Sequence, residues 1–161
     1  MSTAQPEHWG VDLAKSHDFT VAVGLDRDGC VCRLERWQSP WSVTRERLAR
    51  MLGQSPALID STGVGDPIVE DLRKVCRRAE GFKFTAQTKQ QLMEGLQIAI
   101  QSREIRYPDG WLRGELEAFG FRYSVRSVSY EATVGHDDGV CALALAVQSR
   151  RSSRPLVLKV I

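Results

Sequence analysis

The sequence predicts an α/β fold: a mixed sheet with three antiparallel strands first and parallel strands after, helices on both faces, and an added β-hairpin. Three observations predict it. Three strand-like segments open the chain, joined by links too short for a crossover, and so form a meander. Strand patterns then alternate with helical ones, as crossover-linked parallel strands require. Finally, 161 residues with 42% hydrophobic and 26% charged composition suit one domain with a real core.

In chain order, a polar lead (residues 1–7) precedes a first strand over 8–14, with Trp9, Val11 and Leu13 on one face and Gly10, Asp12 and Ala14 on the other. Residues 19–25 alternate with Phe19, Val21, Val23 and Leu25 together, and a turn at Asp26-Arg-Asp-Gly29 leads to a third strand over 30–37. Ser42 is placed to cap a helix reaching Leu52, with Leu48, Met51 and Leu52 as its stripe. Pro56 to Ile59 reads as a short buried strand ending at Asp60. Asp66-Pro67 is a helix start, and Ile68, Val69, Leu72, Val75, Cys76 and Ala79 keep helical spacing up to Gly81, followed by a strand at 82–84. Thr88-x-x-Gln91 fits a capping box for a helix with Leu92, Leu96, Ala99 and Ile100 inward. After Pro108 come a short helix over 111–119, a hairpin expected within 121–134, and an Ala/Leu-rich helix from Asp137. The domain is expected over 8–150, with a basic tail over 151–161. This order of elements is that of an RNase H-like domain.

Several classes are excluded. No apolar run is long enough to span a membrane, and no signal-peptide pattern opens the chain, so a soluble protein of the cytoplasm is expected. No Gly-x-x-x-x-Gly-Lys-Ser/Thr occurs, so a P-loop is missing. Cys30, Cys32, Cys76 and Cys141 lack a second pair with zinc spacing and are expected to be reduced thiols. The formal net charge of +2 decides little, but Arg150, Arg151, Arg154 and Lys159 crowd the C-terminus without an acid.

The chemistry-bearing residues are carboxylates. Asp12 stands mid-strand among apolar neighbours, where Asp is depleted. Asp60 closes the short buried strand, and Asp137 and Asp138 open the last helix behind Gly135-His136. Each has an innocent alternative: a strand-end acid for Asp60, a helix cap for Asp137, a loop residue for His136. Asp66 reads as a cap and Glu70 as a solvated acid. In an RNase H-like sheet the first strand and the strand after the first helix are neighbours, so their acids converge. Clustered acids repel unless cations neutralise them, and an all-oxygen set suits Mg²⁺ or Mn²⁺. Two such ions about 3.5–4 Å apart can activate water and stabilise the leaving oxygen of a phosphodiester.

Three stretches stand in order: Gly10-Val-Asp12-Leu-Ala-Lys-Ser-His-Asp18-Phe-Thr, Leu58-Ile-Asp60-Ser-Thr-Gly-Val-Gly-Asp66-Pro, and Gly135-His-Asp137-Asp138 before the Ala/Leu helix. Together they resemble the C-terminal nuclease domain of phage and prophage terminase large subunits, the DNA-packaging motor protein. The resemblance runs from about residue 8 to 147 and takes in the Phe84–Lys89–Leu92 region and the Glu115 to Phe119 helix. It implies a metal-dependent endonuclease that cuts concatemeric viral DNA in the host cytoplasm. Asp12, Asp60 and Asp137 would be catalytic metal ligands for a pair of ions, with Asp138 and His136 as further candidates. The partners it implies are double-stranded DNA, an ATPase domain that this sequence lacks, the small terminase subunit and the portal. The last motif has one His fewer than many relatives.

Lys15, Lys83, Lys89, Arg122, Arg126 and the tail arginines are candidate phosphate contacts, with solvated charge as the competing explanation. No base-reading motif appears. A junction resolvase or other RNase H-like nuclease is the alternative within enzymes. A catalytically silent docking module is the alternative outside them, and an actin-like nucleotide-binding fold is disfavoured for want of a second half.

Overall fold

The computed structural model describes residues 4–14, 18–63, 66–125 and 136–153, with only the backbone described over 121–125. The elements run β1 (His8–Asp12), β2 (Thr20–Leu25), β3 (Val31–Trp37), α1 (Trp41–Leu52), β4 (Ala57–Asp60), α2 (Asp66–Arg73), β5 (Ala79–Phe82), α3 (Ala86–Gln101), α4 (Trp111–Val125) and α5 (Asp138–Ser152). The five strands form one sheet in the order β3-β2-β1-β4-β5. Antiparallel pairing joins β3, β2 and β1, and parallel pairing joins β1, β4 and β5. This is the RNase H-like mixed sheet expected from the element order.

Strand alternation divides the core in two. Trp9, Val11, Ala57 and Ile59 pack under α1 and α2, through Leu48, Leu52, Val69 and Leu72. Val21, Val23 and Leu25 on the opposite face pack against α3 and α5. The sheet is thus covered on both sides. Helix α5 lies against the sheet with α3 and α4 around it, and Val140 through Val147 are all buried, which explains a helix with no polar stripe.

Gly10 sets how α5 meets the sheet. A Cβ there would collide with the Ala142 carbonyl oxygen and the Ala146 nitrogen of α5. Farther along α5, Arg150 Nη2 donates to the Arg27 carbonyl at 3.1 Å, in the β2–β3 turn. That turn lies at the N-terminal end of β1, since His8 pairs with Leu25. Helix α5 therefore runs antiparallel to β1, and its N-terminus comes to the strand's C-terminal end.

Several elements differ from the sequence expectation. Helix α2 ends at Arg73, and Ala79–Phe82 is a strand although the apolar spacing stays helical to Ala79. Pairing of Ala79 with Ala57 explains the burial of Ala79, and Val75, which continued the stripe, is 41% exposed. Gly81 sits inside β5 rather than ending a helix, beside the Ser61 side chain. The N-cap of α1 is Pro40 without a side-chain bond, not Ser42. The capping box of α3 lies one turn earlier than expected: Thr85 accepts from the Thr88 N–H, and Thr88 Oγ1 accepts from the Thr85 N–H. Helix α4 continues to Val125, so the first part of the expected hairpin is helical; its remainder, 126–134, lies outside the described residues. Helix α5 extends to Ser152, two residues into the segment expected as a tail; 154–161 lie outside the described residues. Cys30, Cys32, Cys76 and Cys141 are free thiols.

The contact at Gly10 is directly testable. Gly10→Ala inserts a methyl into helix backbone, which cannot swing aside as a side chain can. We expect a loss of about 3 kcal/mol in urea unfolding, at the upper end of overpacking costs. An unchanged midpoint would contradict the packing described.

Candidate metal centre

The parallel register aligns the first two acids. Val11 pairs with Ile59, so Asp12 and Asp60, the next residues, end adjacent strands at the same level. Both follow a residue buried on the α1/α2 face, which sends their side chains to the α5 face. Asp12 is half-buried, and Asp60 is 4% exposed. Asp60 Oδ1 accepts from the Thr62 N–H at 2.7 Å, a local turn that fixes its carboxylate. Thr62 Oγ1 in turn accepts from the Phe84 N–H at 2.7 Å. The loop after β4 is thereby tied to the segment that starts α3.

The N-terminus of α5 brings the third acid. Asp137 is the N-cap residue, yet its side chain makes no capping hydrogen bond. Instead Asp137 Oδ2 accepts from Lys89 Nζ of α3 at 3.3 Å. Capping falls to a residue far away in sequence: Glu115 Oε2 of α4 accepts from the Gly139 N–H at 3.0 Å. A Cβ on Gly139 would lie 2.6 Å from the Trp111 ring and 2.7 Å from Glu115 Oε2 and would push these side chains aside.

The two adjacent acids face different surroundings. Burial raises the pKa of Asp138, Asp137 and Asp18 add to the rise, and His136 and Arg36 oppose it. Its Oδ2 is buried without a hydrogen bond, 3.6 Å from His136 Nδ1. Burial likewise raises the pKa of Glu115, against the Gly139 N–H and Arg36, which lower it. Arg36 is the cation on that side: its guanidinium lies 4.1 Å from the Phe19 ring centroid, 5.4 Å from that of Trp111 and 3.7 Å from Glu115. His136 is exposed and packs edge-on against Phe19.

On the other side stands Lys89. Burial alone would lower its pKa, but the net direction is up, because the Asp137 carboxylate accepts its hydrogen bond and Asp137 and Asp12 set negative charge beside it. Cys141, buried one turn into α5, is pushed well above the usual thiol range by desolvation and then by Asp12 and Asp137, with Asp60 a smaller contributor. It stays a neutral thiol. Asp12, Asp60 and Asp137 therefore share one electrostatic neighbourhood, centred on the first turn of α5 and containing an ammonium ion.

Among the described residues, no three His, Cys, Asp or Glu side chains stand close enough to hold a metal ion in the present arrangement. The donor chemistry still fits one: three carboxylates, oxygen donors only, with a cation already among them in Lys89.

Of the candidate phosphate contacts, Lys89 belongs to this acid cluster, and Lys83 is exposed and paired with Asp66 at 3.1 Å. Lys15 and Arg126 lie outside the described residues, as does the Arg122 side chain. Arg150 is 7% exposed and holds the β2–β3 turn, and Arg151 pairs with Glu104 at 3.3 Å, so both have structural partners. Sequence reasoning did not single out Glu115 as a cap or Arg36 as a site neighbour. Their only local signal is an acid and an arginine within otherwise half-apolar elements.

Comparison with solved structures finds large terminase nucleases. The chain is 29% identical to the crystal structure of the large terminase nuclease from thermophilic phage G20c, with a TM-score of 0.71 over 90% of this chain and 84% of that one. A magnesium-bound structure of the same nuclease matches at 27% identity and TM-score 0.68, covering 90% of this chain and 83% of that one, and a zinc-bound structure also matches. The large terminase nuclease domain of Thermus phage P74-26 matches at 25% identity and TM-score 0.66, over 90% of this chain and 81% of that one. No protein-family model and no curated protein matches the chain. The likeness to phage terminase nuclease domains seen in the three motifs thus extends to the fold over nearly the whole chain.

Two expectations follow from the α5 N-terminus. Glu115→Ala removes the acceptor of the Gly139 N–H and should cost about 1 kcal/mol, whereas Glu115→Gln keeps an acceptor and should cost little. Equal losses in chemical unfolding would refute the cap. For Asp138 the sign is opposite. Its folded pKa is raised, so as pH rises the unfolded chain ionises first, and the fold carries a penalty at neutral pH. Asp138→Asn should raise the metal-free melting temperature at pH 7, and the gain should vanish below the ordinary carboxylic range, around pH 4.

Proposed function

We propose that the chain is a divalent-metal-dependent DNA endonuclease, the nuclease part of a phage DNA-packaging terminase. The observation that carries this reading is the convergence of Asp12, Asp60 and Asp137 on one side of the sheet, in a fold shared with large terminase nucleases. The metal-holding residues are Asp12, Asp60 and Asp137. Asp12 is the bridging candidate, because it ends the central strand, beside Asp60 on β4 and under α5. Asp138 stands outside the set, facing Glu115 and Arg36, and His136 belongs with it.

When bound, Mg²⁺ or Mn²⁺, in a pair of ions, would supply activation of the attacking water and neutralisation of the leaving oxygen. The protein's share is positional. The Asp60 carboxylate is held by the Thr62 N–H, Asp12 by its pairing with Val21 of β2, and Asp137 by the first turn of α5. No protein nucleophile is needed. Cys141, beside the acids, is a buried neutral thiol. Attack by water with the 3′-oxygen as leaving group, as is usual for this fold, gives a 3′-hydroxyl and a 5′-phosphate. The substrate is concatemeric double-stranded DNA in the host cytoplasm, and the partners are the terminase ATPase, the small subunit and the portal. A four-way-junction substrate would be cut in preference to linear duplex only by a resolvase.

Plasmid nicking with Mg²⁺, Mn²⁺ or EDTA tests the assignment. The wild type should nick with either metal and not with EDTA. Asp12→Ala, Asp60→Asn and Asp137→Asn should each lose at least about a hundredfold in rate, a loss of roughly 3 kcal/mol in transition-state stabilisation. Asp138→Asn should keep metal-dependent activity. Cleavage that survives Asp12→Ala or Asp137→Asn in a folded variant would sink the site.

A further inference from the structure

Helix α3 delivers one side chain into the acid cluster. The start of α3 is fixed by the Thr85–Thr88 capping box and by the Phe84 N–H bond to Thr62, which follows Asp60 in the same loop. One turn in, Lys89 reaches Asp137 at 3.3 Å, and only 23% of the lysine and 22% of the aspartate side chain are exposed. The Phe84 ring, its centroid 5.9 Å from Lys89 Nζ, borders the ammonium. The Asp137 carboxylate is not engaged in capping its own helix, since Glu115 supplies that bond from the other side. It is committed to the lysine instead.

We propose that Lys89 is a tethered counter-ion that competes with divalent metal for Asp137, holding the acid cluster together before metal loads and setting the threshold for loading. The proposal rests on Asp137 being a metal ligand. An ammonium tethered to α3 cannot diffuse away. A dication must therefore bind against it, and both the like charge and the shared carboxylate oppose entry. Lys89 is thus a positioning residue for the proposed reaction and not a surface phosphate contact. In the metal-free protein the lysine supplies a counter-charge to Asp137 and, beyond it, to Asp12.

Titration of the apo protein with Mn²⁺ alone, followed by calorimetry, tests this without reference to cleavage. Lys89→Met and Lys89→Gln should bind Mn²⁺ about tenfold more tightly than the wild type, while Lys89→Arg, which keeps the charge, should resemble the wild type. In metal-free protein, Lys89→Met should lower the melting temperature, and the loss should be smaller in an Asp137→Asn background, which has no charge to neutralise. Wild-type Mn²⁺ binding with unchanged or weaker affinity in both neutral variants would overturn the role of Lys89 and leave the metal site standing. No Mn²⁺ binding by the wild type or either neutral variant would overturn both.

Discussion

The packing of α5 onto β1 at Gly10 is the constraint on which the rest depends. A helix normally stands off a sheet by the length of its side chains. Here a missing Cβ lets the α5 backbone at Ala142 and Ala146 come down onto the central strand. Close approach explains why α5 is built from Ala, Val and Leu without a polar face: β1, β2 and β4 lie beneath it, and α3 and α4 flank it. It also fixes the end of the helix in space. With Arg150 anchored at the β2–β3 turn, the first turn of α5 has to lie over the C-terminal ends of β1 and β4, where Asp12 and Asp60 are.

Convergence of three carboxylates is unfavourable by itself, and the fold meets that cost with cations supplied from two sides. Lys89 enters from α3 toward Asp137 and Asp12, and Arg36 enters from β3 toward Glu115 and Asp138. Neither is a simple surface ion pair. Lys89 is largely covered, and Arg36 is held over the Phe19 ring beside Trp111. Charges so confined interact more strongly than exposed pairs do, because less water screens them.

Much of this was readable from residue order. Alternation alone assigned Trp9, Val11 and Leu13 to one face and Asp12 to the other, because a strand's period of two leaves no freedom once the apolar set is identified. Asp60 was readable as a strand end for the same reason. Where reading failed, tertiary contact overrode local pattern. The helical spacing from Ile68 to Ala79 is real, yet Ala79 is more stably placed pairing with Ala57 on the sheet edge than extending α2. Thr88 does take part in a capping box, but as the partner of Thr85 and not as the cap. Glu115 and Lys89 could not be placed beforehand, since each acts on α5 across long separations in sequence, 24 residues for the Glu115–Gly139 bond and 48 for the Lys89–Asp137 pair.

The adjacent pair Asp137-Asp138 stands between the two cations, Lys89 on the α3 side and Arg36 on the α4 side. Consecutive residues entering a helix point in different directions, and the two neighbouring acids meet different surroundings. Their division follows from what flanks α5. On the α3 side a flexible ammonium is available, and Asp137 takes it. On the α4 side the orphan N–H of Gly139 is already satisfied by Glu115, and Asp138 is left buried beside another acid with only His136 and Arg36 to moderate it. A helix start that needed only a cap would have one of these acids and no Glu115. Supplying the cap from α4 releases Asp137 from that duty, and a carboxylate released from capping is one that can bind a cation.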